Sequence, residues 1–163
     1  MNRIIITMVC ILLFMPKTET KADIRFLKPA CGVIWETLNE NVKRYKQEQE
    51  DIKLMAEIIY HENWHTDKDH KAAYYTGAVV LNRVKSKEFP NTIHDVLYQT
   101  KPCLQYSTTK KFFTEKIPDE CYEMAADLVR NGAEEVPDNV LYQAQRSQGK
   151  VWKVINHEYF CYG

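Results

Sequence analysis

Glycine is scarce in this chain, five residues in 163, and no glycine-rich loop stands ahead of a helix. Without a run of backbone amides that can curl around phosphate groups, nucleotide chemistry is not expected. An excess of either charge is also missing, because 22 basic residues balance 22 acidic ones. Nucleic acid and anionic membranes are therefore not expected as partners. No CxxC pair occurs, which removes the simplest zinc ribbon and redox motifs. No internal repeat or low-complexity segment is visible. The longest largely apolar stretch, residues 4–15, falls short of the about 20 residues that a helix needs to cross a bilayer.

That stretch has the form of a secretory signal. Arg3 supplies a charged start, the apolar segment follows, Pro16 breaks it, and Thr20-Lys21-Ala22 offers small residues at the positions a signal peptidase reads. Residues 1–22 are expected to be removed before Asp23, giving a secreted, extracytoplasmic protein with no lasting membrane insertion. Arg3, Lys17, Lys21 and Glu19 leave with the signal, so 19 basic and 21 acidic residues remain. The remainder, residues 23–163, has the size of one domain with one core. Cys31, Cys103, Cys121 and Cys161 survive processing. An even count in an exported chain is compatible with two disulfides in any of three connectivities, and equally with free buried thiols.

Residues 23–51 read as an N-terminal leader, with a solvated helix over Lys43 to Asp51, and residues 52–163 as the main domain. Leu54, Met55, Ile58, Ile59 and Glu62 recur at helical spacing, so Glu62 projects from an apolar stripe. A second helix is expected over Asp69 to Lys87, with Ala73, Gly77, Val80, Leu81 and Val84 on one side. A short one follows over Asn91 to Tyr98, capped by Asn or Thr, and leads into a polar loop over Gln99 to Lys111. Pro118 to Asn131 forms another helix with Gly132 as its stop. Val140 to Ala144, Val151 to Ile155 and Glu158 to Cys161 alternate and carry β-branched and aromatic residues, which predicts a small antiparallel sheet. Helices first and strands last make an α+β domain with a cleft between the two parts.

His61-Glu62-Asn63-Trp64-His65 satisfies HExxH, the pattern by which two imidazoles one helical turn apart bind zinc while the Glu activates its water. A zinc protease using His61, Glu62 and His65 is thus one reading. Its context is poor, since Thr66-Asp67-Lys68-Asp69 follows where such helices continue with apolar residues. The other reading uses the same Glu differently. A carboxyl that emerges from an apolar face into a cleft loses hydration on ionising and is suited to hold a proton, as a glycosidic general acid must. Most glycosidases add a second carboxylate; none is evident, although Asp67 and Asp69 are close in sequence.

Several ordered blocks narrow the choice. Ile59-Tyr60-His61-Glu62 is followed by Ala78-Val79-Val80-Leu81-Asn82-Arg83-Val84, Phe89-Pro90-Asn91-Thr92-Ile93 and Val96-Leu97-Tyr98-Gln99. Gln105-Tyr106-Ser107, Leu141-Tyr142 and Asn156-His157-Glu158-Tyr159-Phe160 complete the series. Together they resemble the spore cortex-lytic, cell wall hydrolase family of SleB type, from about Leu54 to Cys161. The resemblance implies a lysozyme-like α+β fold, a helical lobe with a small C-terminal antiparallel sheet. It also implies lytic transglycosylase activity on peptidoglycan, with no cofactor and a monomer acting on the wall. Glu62 falls at the family's catalytic acid, which protonates the oxygen bridging N-acetylmuramic acid and N-acetylglucosamine. The same carboxylate then assists closure of a 1,6-anhydro ring. Gln105, Ser107 and Tyr142 match blocks that would line the sugar cleft. One departure is local: many relatives carry a second Glu four positions after the acid, and Thr66 stands there. An inactive wall-binding protein that keeps the fold is a further alternative. Asn82, Arg83 and His157 read as structural, the last fixing the terminal strand through hydrogen bonds, and Trp64, Tyr74 and Tyr75 read as core.

Overall fold

The computed structural model describes residues 24–102 and 104–163. The expected signal and Cys103 lie outside the described residues. Two compact units divide the chain, Met1–Val42 and Lys43–Gly163. In the first, the side chains of Trp35 and Val42 are exposed. Everything below concerns the second.

Helix α1, Ile24–Asn63, ends in this unit. No proline or glycine lies between Val33 and Asn63, so the solvated charged stretch and the apolar stripe join in one helix. Helix α2, Lys71–Lys85, starts two residues later than the periodicity predicts. His70 sits in the left-handed region at φ 53°, and the Asp67 carboxylate accepts from the amides of Lys71 and Ala72 at 2.9 and 3.0 Å. Those bonds satisfy two of the donors that a helix start leaves open. Helix α3, Ile93–Leu97, is capped by Thr92, whose hydroxyl accepts from Asp95 N at 3.1 Å. A 3-10 turn over Ser107–Lys111 interrupts the polar loop. Helix α4, Asp119–Asn131, stops at Gly132, where φ is 80°.

Strands β1 (Val140–Ala144), β2 (Val151–Ile155) and β3 (Glu158–Tyr162) form an antiparallel sheet in the order β1-β3-β2. Tyr142 pairs with Cys161 and Ile155 with Glu158. The last pairing closes a two-residue hairpin whose Asn156 and His157 both have positive φ, 44° and 71°. That twist suits the right-handed twist of the flanking strands.

The architecture is the expected α+β. Helix α2 is its shared wall, apolar on two faces. Ala73 and Val80 pack into a helical core with Met55, Ile58 and Ile59 of α1 and Ala125 and Leu128 of α4. Ala72, Tyr75, Ala78 and Val79 pack against Val140 and Phe160 of the sheet. The C-terminal end of α2 clamps β1: Asn82 Nδ2 donates to the carbonyls of Pro137 and Val140 at 2.9 and 3.1 Å, and Arg83 Nε to that of Leu141 at 2.8 Å. Among the described residues no helix is long and apolar enough to cross a membrane. Cys121 and Cys161 are free and buried, so neither joins a disulfide; Cys103 and the side chain of Cys31 lie outside the described residues.

Candidate active site

The end of α1, the loop just before the 3-10 turn and the sheet line a cleft of about 830 Å³. Glu62 lies on its wall, in the last turn of α1, with Asn63 beside it. The apolar stripe that predicted its direction is the reason: Met55, Ile58 and Ile59 are fully buried, and Glu62 continues that face to where the helix runs out. Gln105 and Tyr142 join it on the cleft wall, as does Thr66. Ser107 does not. It is exposed at the start of the 3-10 turn, and the next residue, Thr108, points inward and donates its hydroxyl hydrogen to Glu62 Oε1.

The cleft is rich in side-chain amides. Gln105, Gln143, Gln145, Gln148 and Asn156 all line it, a set of neutral donors and acceptors suited to hydroxyl and acetamido groups. Arg83 lines it too, although only 3% exposed. Its guanidinium stacks over the rings of Phe89 and Tyr106 at 5.0 and 5.1 Å. Arg83 Nη1, the Tyr106 hydroxyl and Gln143 Oε1 are buried with no hydrogen-bond partner among the described residues. Burial raises the Tyr106 hydroxyl above its ordinary pKa, Arg83 opposing this and Glu62 adding to it. Arg83 is thus both the structural clamp expected of it and part of the cleft.

Asp67 and Asp69 are not in the cleft. Asp67 is occupied by the start of α2, and Asp69 is exposed. The second carboxyl is Glu158, at the start of β3. Its pKa is raised, first by burial and then by the charge of Glu62, against a hydrogen bond from Asn63. Asn63 is itself buried and fixed, donating to Thr76 Oγ1 and accepting from Thr66 Oγ1, both at 2.8 Å. His157 is exposed in the hairpin turn and lines the cleft; the bond that anchors this turn comes from Asn156, whose Nδ2 donates to the Thr66 carbonyl at 2.5 Å.

The HExxH pattern does not assemble as zinc chemistry needs. Helix α1 stops at Asn63, before His65. His61 is engaged with Glu57 at 3.2 Å and stacked on Phe112, whereas His65 is exposed beside Tyr60. Among the described residues no three His, Cys, Asp or Glu side chains are grouped to hold a metal ion. Trp64 stacks on His70 at 3.7 Å and Tyr75 is buried against Phe160, so both are core as expected.

A family model described as cell wall hydrolase matches residues 67–160. The stretch takes in Gln105, Tyr142 and Glu158 and begins just after Glu62. No curated protein and no solved structure matches the chain.

Proposed function

Because the chain belongs to the cell wall hydrolase family, we propose that it is a lytic transglycosylase of SleB type that cuts the bond between N-acetylmuramic acid and N-acetylglucosamine, with Glu62 as the acid. The observation that carries this reading is the placement of Glu62. It stands at the end of a buried helix face, in a cleft lined by amides, and one of its oxygens is engaged by Thr108. With Oε1 held, Oε2 is left to carry the proton to the bridging oxygen, and a fixed carboxyl spends less orientational freedom in the transition state.

The C6 hydroxyl of the muramoyl residue then closes the 1,6-anhydro ring. Gln105 and Tyr142 bind the glycan on either side. The amides offer partners to acetamido and hydroxyl groups, and the ring of Tyr142, braced edge-on by Phe89 at 6.3 Å, offers an apolar face to a sugar. Residues 1–22 export the chain to the wall, residues 52–163 form the catalytic domain, and the protein acts as a monomer.

The test is digestion of purified sacculi with mass spectrometry of the products. Glu62→Gln keeps the shape of the side chain but cannot donate the proton. It is expected to bind sacculi and to lose about 10²- to 10⁴-fold in turnover. Anhydro-muramoyl ends identify transglycosylation; reducing ends identify hydrolysis and refute that part of the reading. Near-normal muropeptide release by Glu62→Gln refutes the assignment of the acid.

A further inference from the structure

Arg83 Nη1, the Tyr106 hydroxyl oxygen and Gln143 Oε1 are buried without a hydrogen-bond partner among the described residues, and all three residues line the cleft that holds Glu62. They come from three elements: Arg83 from the last turns of α2, Tyr106 from directly before the 3-10 turn, Gln143 from β1. Native structures leave few buried polar atoms unpaired, because each is destabilising. Three around one cleft mark a place where a bound group supplies the missing bonds. Their side chains are held in register. Arg83 and Tyr106 are only 3% and 2% exposed. Arg83 Nε donates to the Leu141 carbonyl at 2.8 Å, two positions before Gln143 on the same strand, and the guanidinium lies over the Tyr106 ring at 5.1 Å.

The three atoms differ in what they need. A guanidinium nitrogen only donates, a protonated phenol donates, and an amide oxygen only accepts. Burial holds the Tyr106 hydroxyl above its ordinary pKa, so it keeps its proton. Two donors and one acceptor match a secondary amide, whose carbonyl oxygen has two lone pairs and whose N–H seeks one partner. A carboxylate would leave Gln143 Oε1 unpaired. Leu104, Tyr106 and Tyr142 give the same cleft apolar surface, which suits the methyl of an acetamido group and not a bare sugar hydroxyl. The lactyl amide that begins a stem peptide carries chain on both sides, whereas an acetamido group ends in its methyl and fits a subsite backed by buried residues. Resting on the reading of the chain as a glycan-cutting enzyme with Glu62 as its acid, we propose that Arg83, Tyr106 and Gln143 form a specificity subsite for the acetamido group of an N-acetylated sugar. Arg83 Nη1 and the Tyr106 hydroxyl donate to its carbonyl oxygen, and Gln143 Oε1 accepts from its N–H.

Such a subsite rejects glycan whose sugar bears a free amine. De-N-acetylation removes the carbonyl oxygen and the methyl together, and the ammonium that remains offers only donors. Arg83 Nη1 and the Tyr106 hydroxyl then stay unpaired in the complex. A site built on hydrogen bonds discriminates against an analogue without their partner far more strongly than an apolar pocket does against a missing methylene. The carboxyls of Glu62 and Glu158 line the cleft as well and attract an ammonium. Selectivity therefore rests on the unpaired donors rather than on net charge.

The experiment uses soluble peptidoglycan strands in three forms: intact, de-N-acetylated, and stripped of stem peptides by an amidase. Initial rates at low substrate, which report kcat/KM, are compared for the full chain and for Tyr106→Phe, Gln143→Leu and Glu62→Gln. Wild type should cut de-N-acetylated strands about 10²-fold more slowly than intact ones, and peptide-free strands within a few-fold of intact. Tyr106→Phe and Gln143→Leu keep side-chain shape and should each shrink the first ratio about tenfold, by losing rate on intact strands and little on de-N-acetylated ones. A purely structural role would lower both rates alike and leave the ratio unchanged. That result overturns the proposal, as does a wild type that cuts both forms equally, or one whose preference follows the stem peptides instead. Any of these beside an inactive Glu62→Gln leaves the Glu62 assignment standing. An active Glu62→Gln, or a wild type that cuts no strand, removes that assignment and the subsite with it.

Discussion

The hydroxyl of Thr108 donates to Oε1 of Glu62, joining the 3-10 turn to the end of α1 across 46 positions of sequence. A hydrogen bond to a carboxyl at this place does more than contribute stability. It selects one rotamer of a side chain that would otherwise sweep the cleft, and it leaves the second oxygen for the proton transfer proposed above.

Thr108→Val is therefore expected to fold normally and to cut glycan about tenfold more slowly, in proportion to the loss of one hydrogen bond to an ionisable group. Thr108→Ser, which keeps the hydroxyl, should recover most of the rate. The assay is muropeptide release under saturating sacculi. An unchanged rate in Thr108→Val would mean that Glu62 is oriented by something else.

The position of Thr108 shows where sequence reading reached its limit. The Gln105-Tyr106-Ser107 block drew attention to Ser107, one residue short. In a 3-10 turn successive side chains are about 120° apart, so neighbours face different surroundings and only the folded loop decides which one meets Glu62. Glu62 itself was legible, because its direction follows from the helical period of the buried residues before it. The three strands were legible from their composition, and the expected boundaries differ from the observed ones only at Tyr162. Glu158 was not recognised as a cleft residue. Its nearness to Glu62 arises from hairpin closure and from α2 standing between the helices and the sheet, neither of which leaves a mark at a fixed spacing. A lone carboxylate opening an otherwise apolar strand, Glu158-Tyr159-Phe160-Cys161, was the signal available.

On helix α2, Gly77 faces the helical core. A Cβ there would stand 2.5 Å from Leu128 Cδ1, 3.2 Å from Met55 Sδ and 3.3 Å from Ile59 Cγ2. Alanine is the better helix former by about 1 kcal/mol. Over-packing a filled core costs about 1–3 kcal/mol, and Leu128, Met55 and Ile59 are all fully buried with little room to retreat. Over-packing wins. Gly77→Ala should be less stable than wild type by about 1 kcal/mol in urea unfolding, and a stabilised variant would show that Leu128 can move aside at no cost.

Asp67 is a structural carboxylate. Both of its oxygens accept backbone amides at the start of α2, Oδ2 from Lys71 and Oδ1 from Ala72. Removing an acceptor of this kind costs about 1–2 kcal/mol, and the lost negative charge at the positive end of the helix adds about 0.3–1 kcal/mol. Asp67→Ala should therefore unfold at clearly lower urea. Asp67→Asn keeps one oxygen acceptor in place and should lose less. Asp69→Asn, at an exposed residue outside the cleft, should stay within about 0.5 kcal/mol of wild type. Measured well below their unfolding transitions, all three variants should release muropeptides within a few-fold of the wild-type rate, because neither carboxyl lines the cleft. A loss near 10²-fold in folded Asp67→Asn would instead put Asp67 in the chemistry, and the cleft would then have to rearrange on binding substrate so that this carboxylate leaves the helix it caps.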